Sequence, residues 1–392
     1  MNPVRYLFST PKGIIVPPAS LLNRPLVEPC KGACHAITLK DYFCLLADFF
    51  REKGPILLSN YKNGNQHQAG WFKYLDIISE KTGNFYQIAR CVLNGEKGQI
   101  QFCAATSISF RKLLYRDFQN LQFLYLEKKL DFLPKPYLTE ELPVGKKGKK
   151  LRIAVTGWLD GYWEWHLKTK EEAELWIPGT GTVSMGRKRC LELFYDICLE
   201  LALSLDPVDC RHVWLWSNCS GDFVVNGPEN RKTETKLTTV RYYGNPWQHA
   251  LLKGHRERMF FTLFYFFLDT CLTIRIDRRS GTGKYIFADG SLLKYAVSGF
   301  LAGVKVLFRK NKIGAQDLKQ FIDLLKGWDE TALCNIYKDI IKTHRRLRRS
   351  DVSIMEKNLK EHVHQLMDIL YQCDFSVSEP DSALAQALPP SL

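Results

Sequence analysis

An Asn-Gly pair between two alternating segments is the feature that most restricts how this chain can fold. Asn94-Gly95 separates residues 85–93 from residues 99–108, and apolar and polar residues alternate in both segments. Asn-Gly tolerates positive φ at both central positions of a tight hairpin turn. The pattern therefore predicts two antiparallel strands joined at Asn94-Gly95. Residues 71–79 predict a further strand before them, joined by a turn at residues 80–84.

A helix and two more strands are predicted downstream of this hairpin. Apolar residues at spacings of three and four predict a helix over 111–128, and residues 137–142 and 151–158 predict strands. The order over residues 71–158 is thus strand, strand, strand, helix, strand, strand. A second helical pattern covers 187–205, and residues 292–372 are mostly helical in pattern. Together these segments predict an α+β protein.

The two ends of the chain differ from its centre. Residues 1–36 are rich in proline and turn formers and predict an irregular arm, followed by a helix over 38–52. Residues 376–392 predict a flexible tail. The longest apolar stretch, 259–274, is shorter than the roughly 20 residues of a spanning helix, and residues 1–13 lack the pattern of a secretory signal. We therefore expect a cytoplasmic protein with no membrane span.

Twelve cysteines in 392 residues are too few for a disulfide scaffold and predict free thiols in a reducing compartment. Cys30, Cys34 and His35 form one local cluster. Its cysteine spacing is one residue too long for haem attachment, and a zinc site would need a second ligand pair. Unpaired loop cysteines are the expected explanation.

Positive charge is concentrated in two regions of a chain whose net charge is +14. Residues 51–150 carry 17 Lys/Arg against 9 Asp/Glu, and residues 301–350 carry 12 against 5. The densest run is KTHRRLRR at 342–349. Such regions attract the phosphates of nucleotides, nucleic acids or acidic lipids, although a solvated surface produces the same pattern.

The segment WLWSNCSGDFVVN, residues 214–226, contains an apolar strand, the tripeptide Ser220-Gly221-Asp222 and then Asn226. With the element order over 71–158 and the helix over 187–205, it resembles the protein-kinase-like superfamily, nearest the branch typified by aminoglycoside phosphotransferases. The resemblance implies a bilobal α+β fold, with a small antiparallel β-sheet lobe containing one helix and a larger, mostly helical lobe. The implied divisions are an N-terminal arm and helix (1–70), a β-rich N-lobe (71–165), a mainly helical C-lobe (166–373) and a tail (374–392).

The resemblance also implies roles for individual residues. Asp222 would orient an acceptor hydroxyl, Lys81 would contact nucleotide phosphates, Asp117 would be the acidic partner of that lysine, and Asn226 would hold a metal. ATP and Mg²⁺ are the implied cofactors, and a nucleotide or phosphorylated small molecule bound between the lobes is the implied partner. The chain departs from the pattern, because residues 99–108 contain no lysine and residues 237–244 contain no second acid. It is therefore expected to be either a small-molecule phosphotransferase or an inactive relative.

Other segments leave further possibilities open. Residues 178–189 (PGTGTVSMGRKR) either cradle an anion or form a flexible loop with Ser184 as helix N-cap. Residues 280–284 (SGTGK) predict a hairpin turn, beside an exposed basic cluster that includes Arg275. The tryptophans of 158–165 either stack a base or pack between lobes. The alternative function is a non-enzymatic protein that binds nucleic acid or an acidic partner through its basic patches, and a third hypothesis is an oligomeric scaffold.

Overall fold

A computed structural model describes residues 3–28, 32–61, 72–83, 85–95, 98–145, 148–214, 219–230, 232–247, 255–278, 284–346, 351–373 and 375. The side chains of 27–28, 32–36, 60–61, 81–82 and 255–258 lie outside this description. The protein is a mixed α+β structure, as predicted. It divides into two compact units, each assembled from three chain segments. Unit 1 contains residues 1–193, 213–244 and 277–284, and unit 2 contains residues 194–212, 245–276 and 285–392.

The described strands are β1 (Val4–Thr10), β2 (Gly13–Ile15), β3 (Pro25–Glu28), β4 (Gly32–Thr38), β5 (Phe72–Thr82), β6 (Gln87–Gly95), β7 (Gly98–Ser107), β8 (Pro136–Val144), β9 (Lys149–Gly157), β10 (Tyr162–Leu167), β11 (Ala173–Ile177), β12 (Gly181–Ser184), β13 (His212–Val213), β14 (Phe223–Asn226), β15 (Thr235–Leu237), β16 (Tyr243–Gly244), β17 (Ile276–Arg278) and β18 (Tyr285–Phe287). The described helices are α1 (Ala19–Leu22), α2 (Leu39–Tyr61), α3 (Arg111–Leu126), α4 (Arg187–Leu203), α5 (Cys219–Asp222), α6 (His255–Thr273), α7 (Gly290–Arg309), α8 (Ala315–Lys326), α9 (Glu330–Arg346) and α10 (Val352–Gln372).

A seven-stranded sheet with the order β2-β1-β5-β6-β7-β9-β8 forms the centre of unit 1. Alternation along β9 supplies both faces of this sheet. Ile153 and Val155 belong to the core that includes Phe43 and Phe50 of α2, whereas Ala154 packs with residues of α3 such as Phe118. The sheet is therefore covered by α2 on one face and by α3 on the other.

The predicted order of strands and helix over 71–158 is confirmed, because β5, β6, β7, α3, β8 and β9 follow one another and their strands share one sheet. The position of the Asn94-Gly95 turn was wrong. Asn94 and Gly95 belong to β6 and pair with Gln99 and Gly98, so residues 96–97, outside the described part, connect the strands. The buried Asn94 amide donates to Asp76 Oδ2 at 3.2 Å, a contact that holds Asn94 in the strand.

The prediction of an irregular arm over 1–36 was also wrong. This region contains β1, β2, α1, β3 and β4, and β1 pairs in parallel with β5. The Arg5 guanidinium binds both carboxylate oxygens of Asp76 on β5, each at 2.6 Å. The partner of β1 lies about seventy residues away, so no local pattern marks it. The sheet is consequently larger than the small antiparallel sheet that was expected, and it is mixed.

A five-stranded antiparallel sheet, β12-β11-β10-β14-β15, was not predicted, and its strands lie mostly in the region expected to be mainly helical. Its strands contain many charged residues, which hid the alternation: Trp165 and Leu167 of β10 are buried on one face. The glycine-rich residues 178–189 supply β12 and the start of α4. Because α4 begins at Arg187, Ser184 is not its N-cap.

Unit 2 is helical, and the prediction of mostly helical structure over 292–372 is confirmed by α7, α8, α9 and α10. Among the described helices, α7 alone is long and apolar enough to cross a membrane, judged by length and composition. Its buried face includes Leu293, Val297 and Phe300. This face makes α7 a core helix, consistent with the predicted absence of a membrane span.

Two glycines let α7 approach α4 closely. A Cβ at Gly299 would collide with the Tyr195 backbone, and a Cβ at Gly303 would lie 2.6 Å from Ala202 Cβ. At Gly54 within α2, by contrast, a Cβ would meet Phe72 Cε1 at an ordinary 3.6 Å, apart from its chain neighbour Pro55. The helix pair in unit 2 thus depends on the absence of side chains at 299 and 303.

The same substitution should therefore have a much larger effect at Gly299 than at Gly54. We expect Gly299→Ala to destabilise the protein by about 1–3 kcal/mol, because backbone cannot move aside cheaply. We expect Gly54→Ala to change the stability by less than about 1 kcal/mol, because the higher helix propensity of alanine is opposed by the clash of its Cβ with the ring of Pro55. Urea unfolding followed by circular dichroism measures both, and equal effects at the two sites would contradict the close packing of α7 on α4.

Candidate functional site

The short helix α5 presents two buried polar side chains to two separate clusters of unit 1. Ser220 is fully buried and Asp222 is 4% exposed. Ser220 binds His166 and Asp277, whereas Asp222 binds Thr239 and Arg241. The tripeptide Ser220-Gly221-Asp222, expected in a catalytic loop after a strand, thus forms part of a single helical turn.

The first cluster is built around the guanidinium of Arg241. Arg241 Nη1 donates to Asp222 Oδ1, which also accepts a hydrogen bond from Thr239 Oγ1 at 3.2 Å. On the other side, Asp117 Oδ1 accepts from the Val240 backbone N–H. Asn120, one helical turn after Asp117, donates to the Val240 carbonyl at 2.9 Å. Residues 239–241 are therefore held between α3 and α5, and we call Asp117, Asp222 and Arg241 the arginine–carboxylate cluster.

Burial dominates the electrostatics of this cluster. It raises the pKa of Asp117 to about 6, against the lowering effects of Arg241 and the Val240 N–H. Burial would lower the pKa of Arg241, but the charges of Asp222 and Asp117 outweigh it and raise that pKa. Burial, reinforced by the Asp117 charge, also raises the pKa of the nearby Tyr86 hydroxyl. Arg241 consequently stays a cation between two carboxyl groups.

Asn226, the implied metal ligand, serves instead as the anchor of a hairpin. Its Oδ1 accepts from Arg189 Nη2 at 2.9 Å and from the Glu234 N–H at 3.2 Å, and its Nδ2 donates to the Lys232 carbonyl at 2.8 Å. Arg189 also donates to the carbonyls of Asn226 and Gly227. The side chains of Asn226 and Arg189 therefore tie the β14–β15 hairpin to the start of α4.

The implied Mg²⁺ does not fit the residues present. Oδ1 of Asp222 already accepts from Arg241 and Thr239, and the amide oxygen of Asn226 already accepts two hydrogen bonds. The guanidinium of Arg241 places a positive charge in direct contact with Asp222, where a metal would have to bind. Within the described part of the chain, no group of three or more His, Cys, Asp or Glu is arranged to hold a metal ion.

Several predicted sites lie partly or wholly outside the described residues. Lys81 belongs to β5 and pairs with Ile88, but its side chain is outside the description. The same holds for the side chains of Cys34 and His35, and Cys30 lies outside altogether. Also outside the described residues are 280–283 of SGTGK, 347–349 of the basic run and the tail at 376–392.

The second cluster joins Ser220 to two residues far away in the sequence. Ser220 Oγ donates to Asp277 Oδ1 at 2.6 Å and lies 3.2 Å from His166 Nδ1. The same His166 nitrogen is 3.2 Å from Asp277 Oδ1, and the Leu167 N–H donates to Asp277 Oδ2 at 2.7 Å. Because Ser220 is buried and bonds directly to the carboxylate, this arrangement lacks the serine–histidine relay that activates a nucleophile.

In unit 2, Arg275 was expected in an exposed basic cluster, and that prediction was wrong. The side chain is fully buried, and its hydrogen-bond acceptors among the described residues are neutral: the Ala288 carbonyl, His362 Nδ1 at 3.0 Å and Gln365 Oε1 at 2.7 Å. Burial lowers its pKa to about 10. Burial and the Arg275 charge hold the pKa of His362 well below its ordinary range, so the neutral ring donates from Nε2 to the Tyr337 hydroxyl.

A small pocket of about 20 Å³ in unit 2 offers little chemistry. Its lining is mainly apolar, with Lys326 as its one charged side chain: Phe264, Leu268, Leu325, Lys326, Trp328, Leu333, Met367, Leu370 and Tyr371. The pocket has no carboxylate, histidine or cysteine in its wall. The arginine–carboxylate cluster therefore remains the best-defined candidate site.

No known family model and no curated protein matches this chain. The geometry of the two clusters in unit 1 is therefore the main indication of function.

The raised pKa of Asp117 predicts a specific pH dependence of stability. Because the folded protein keeps a proton on Asp117 up to about pH 6, against an ordinary value of 3.8, this residue stabilises the fold below pH 4. That contribution is lost as the pH rises from 4 to 6. We expect Asp117→Asn, which does not titrate, to gain on the order of 1–3 kcal/mol relative to wild type between pH 4 and pH 7.

Urea unfolding of both proteins at several pH values measures this difference. A constant gap between wild type and variant across the range would contradict the assignment.

Removing the cation at the centre of the cluster should be costly. Arg241→Leu would leave two buried carboxyl groups without their counter-charge, and we expect a loss of about 3–5 kcal/mol at pH 7.5. Arg241→Lys keeps the charge and should lose less. The double variant with Asp222→Asn should recover part of the loss. Additive effects in this double-mutant cycle would indicate that Arg241 and Asp222 do not interact.

Proposed function

We propose that this chain is a kinase-like protein that binds a nucleotide or phosphorylated small molecule and does not carry out metal-dependent phosphoryl transfer. The observation that carries the proposal is the contact between Arg241 and Asp222. Asp222 is the residue to which the family resemblance gives the acceptor-orienting role. Arg241 comes from the segment 237–244, where that resemblance leads one to expect a second metal-binding acid.

The kinase-like part of the proposal is supported by element order and by the meeting of two assigned residues. The three strands, helix and two strands expected from the resemblance lie in one sheet with α3 packed on it. Asp117 on α3 and Asp222 on α5 are far apart in sequence, yet both interact with Arg241. The resemblance gave both residues roles at one centre.

The proposed absence of phosphoryl transfer is supported by the burial of Asp222. An acceptor hydroxyl must donate its hydrogen bond to an exposed carboxylate oxygen if an aspartate is to orient it. Asp222 is almost completely buried, and its Oδ1 accepts from Thr239 and Arg241. The carboxylate therefore orients groups of the protein itself.

Electrostatic repulsion between Arg241 and a bound Mg²⁺ also argues against metal-dependent transfer. Two unit charges at 4 Å interact by about 4 kcal/mol at an effective dielectric constant of 20, and a divalent ion doubles this figure. Mg²⁺ bound to Asp222 would meet that repulsion from Arg241. It would also displace Thr239 and Arg241 from the oxygen that they share. We infer that Arg241 takes over the charge-neutralising role that a metal has in an active enzyme.

Thermal shift with ATP, GTP and glucose 6-phosphate, each with Mg²⁺ or with EDTA, tests this function. We expect at least one of these ligands to raise apparent stability, by about 2.7 kcal/mol at a hundredfold excess over its Kd, equally with and without Mg²⁺. Asp222→Asn should leave the ligand-induced shift unchanged.

A thermal shift that requires Mg²⁺ would overturn the proposed absence of metal-dependent transfer. Phosphate transfer or release that Asp222→Asn abolishes would overturn it as well. No shift with any of the three ligands would overturn the proposed binding of phosphorylated molecules. Asp277→Asn is the matched control, because it changes a buried aspartate of unit 1 that lies in the other cluster.

A further inference from the structure

The outer sides of α3 and β9 in unit 1 carry cationic side chains almost without counter-charge. The single acid of α3 is Asp117, which is buried in the arginine–carboxylate cluster, and β9 contains no acid. Side chains alternate along β9, so Lys149 lies with Leu151 and Ile153 on the α2 side of the sheet, while Lys150 and Arg152 lie on the α3 side. The cationic residues on the α3 side are Arg111, Lys112, Arg116, Lys150 and Arg152. We call these five residues, together with Tyr115, the basic face.

Three of these cations meet at one carboxylate. Glu141 Oε1 lies 2.8 Å from Arg152 and 3.9 Å from Arg111, and Glu141 Oε2 lies 3.4 Å from Lys150. Lys150 and Arg152 share a face because side chains alternate along a strand. Three positive charges against one negative charge leave a local excess of two, so the contacts position the cations without neutralising them.

Tyr115 adds an aromatic surface beside these charges. Its side chain is 40% exposed, and the Arg152 guanidinium lies 4.7 Å from its ring centroid. Arg111 precedes Tyr115 by one helical turn, and Arg116 follows it directly. A cationic surface with an exposed aromatic ring is the combination that binds single strands, because the cations contact phosphates and the ring stacks on an unpaired base.

We infer that the basic face binds single-stranded nucleic acid. The phosphates contact Arg116, Lys112 and Lys150, which are exposed, while Tyr115 stacks on a base. The inference does not depend on the proposed kinase-like function. The exposed ring favours a single strand over a duplex, since a duplex keeps its base faces stacked.

Fluorescence anisotropy of a labelled 15-nucleotide oligouridine, titrated with the full chain between 50 and 200 mM NaCl, tests the inference. We expect the variant K112Q/R116Q/K150Q to bind about tenfold more weakly and to reduce the slope of log K against log salt by about 2. The matched control is K294Q/R309Q/K312Q, which removes two lysines and one arginine from exposed positions of unit 2. It should bind like wild type.

A second variant separates base stacking from charge. Tyr115→Leu should weaken oligouridine binding about fivefold or more and leave the binding of inorganic polyphosphate unchanged. Equal loss in both triple variants, unchanged oligouridine binding by Tyr115→Leu, or equal affinity for duplex RNA would each overturn the inference. Thermal melting of each variant confirms that it is folded.

Discussion

The buried guanidinium of Arg241 determines how the polar residues of unit 1 are arranged. A buried carboxylate is expensive unless a cation or several donors offset its lost hydration. Asp117 comes from α3 and Asp222 from α5, and Arg241 interacts with both. The single turn of α5 is too short to be stable alone. It persists because Asp222 is bound on one side and Ser220 is bound to Asp277 on the other.

The sequence predicted those elements in which the spacing of apolar residues shows which side faces the core. The strands β5–β9 and the helices α3 and α4 each place one side against a core, so periods of 2 and 3.6 marked them. β1 was missed because its parallel partner, β5, is remote in sequence. β10 was missed because its exposed positions carry charges. The Asn94-Gly95 turn failed because the side chain of Asn94 binds Asp76 within the sheet.

The sequence predicted only those site residues to which the short motif at 214–226 and the order of elements gave a role. Asp222 and Asp117 came from the family resemblance, and the structure brings them together around one cation. In the segment 237–244, the expectation from sequence concerned only the missing second acid. Arg241, in the same segment, proved more informative. His166, Ser220 and Asp277 are separated by 54 and 57 residues. No spacing rule connects such positions, so only the tertiary structure could reveal their cluster.

Because both units are assembled from separated segments, the chain has a definite order of completion during synthesis on the ribosome. The N–H of Leu167 donates to the carboxylate of Asp277, which is synthesised 110 residues later. At about 5–20 residues per second, this interval lasts roughly 5–20 s. During that time β10 has emerged without its neighbour β14 and then without the aspartate that anchors its end. The β14 edge of β10 can therefore pair only after residues 223–226 have been made, and the end of β10 is anchored only after Asp277 has been made.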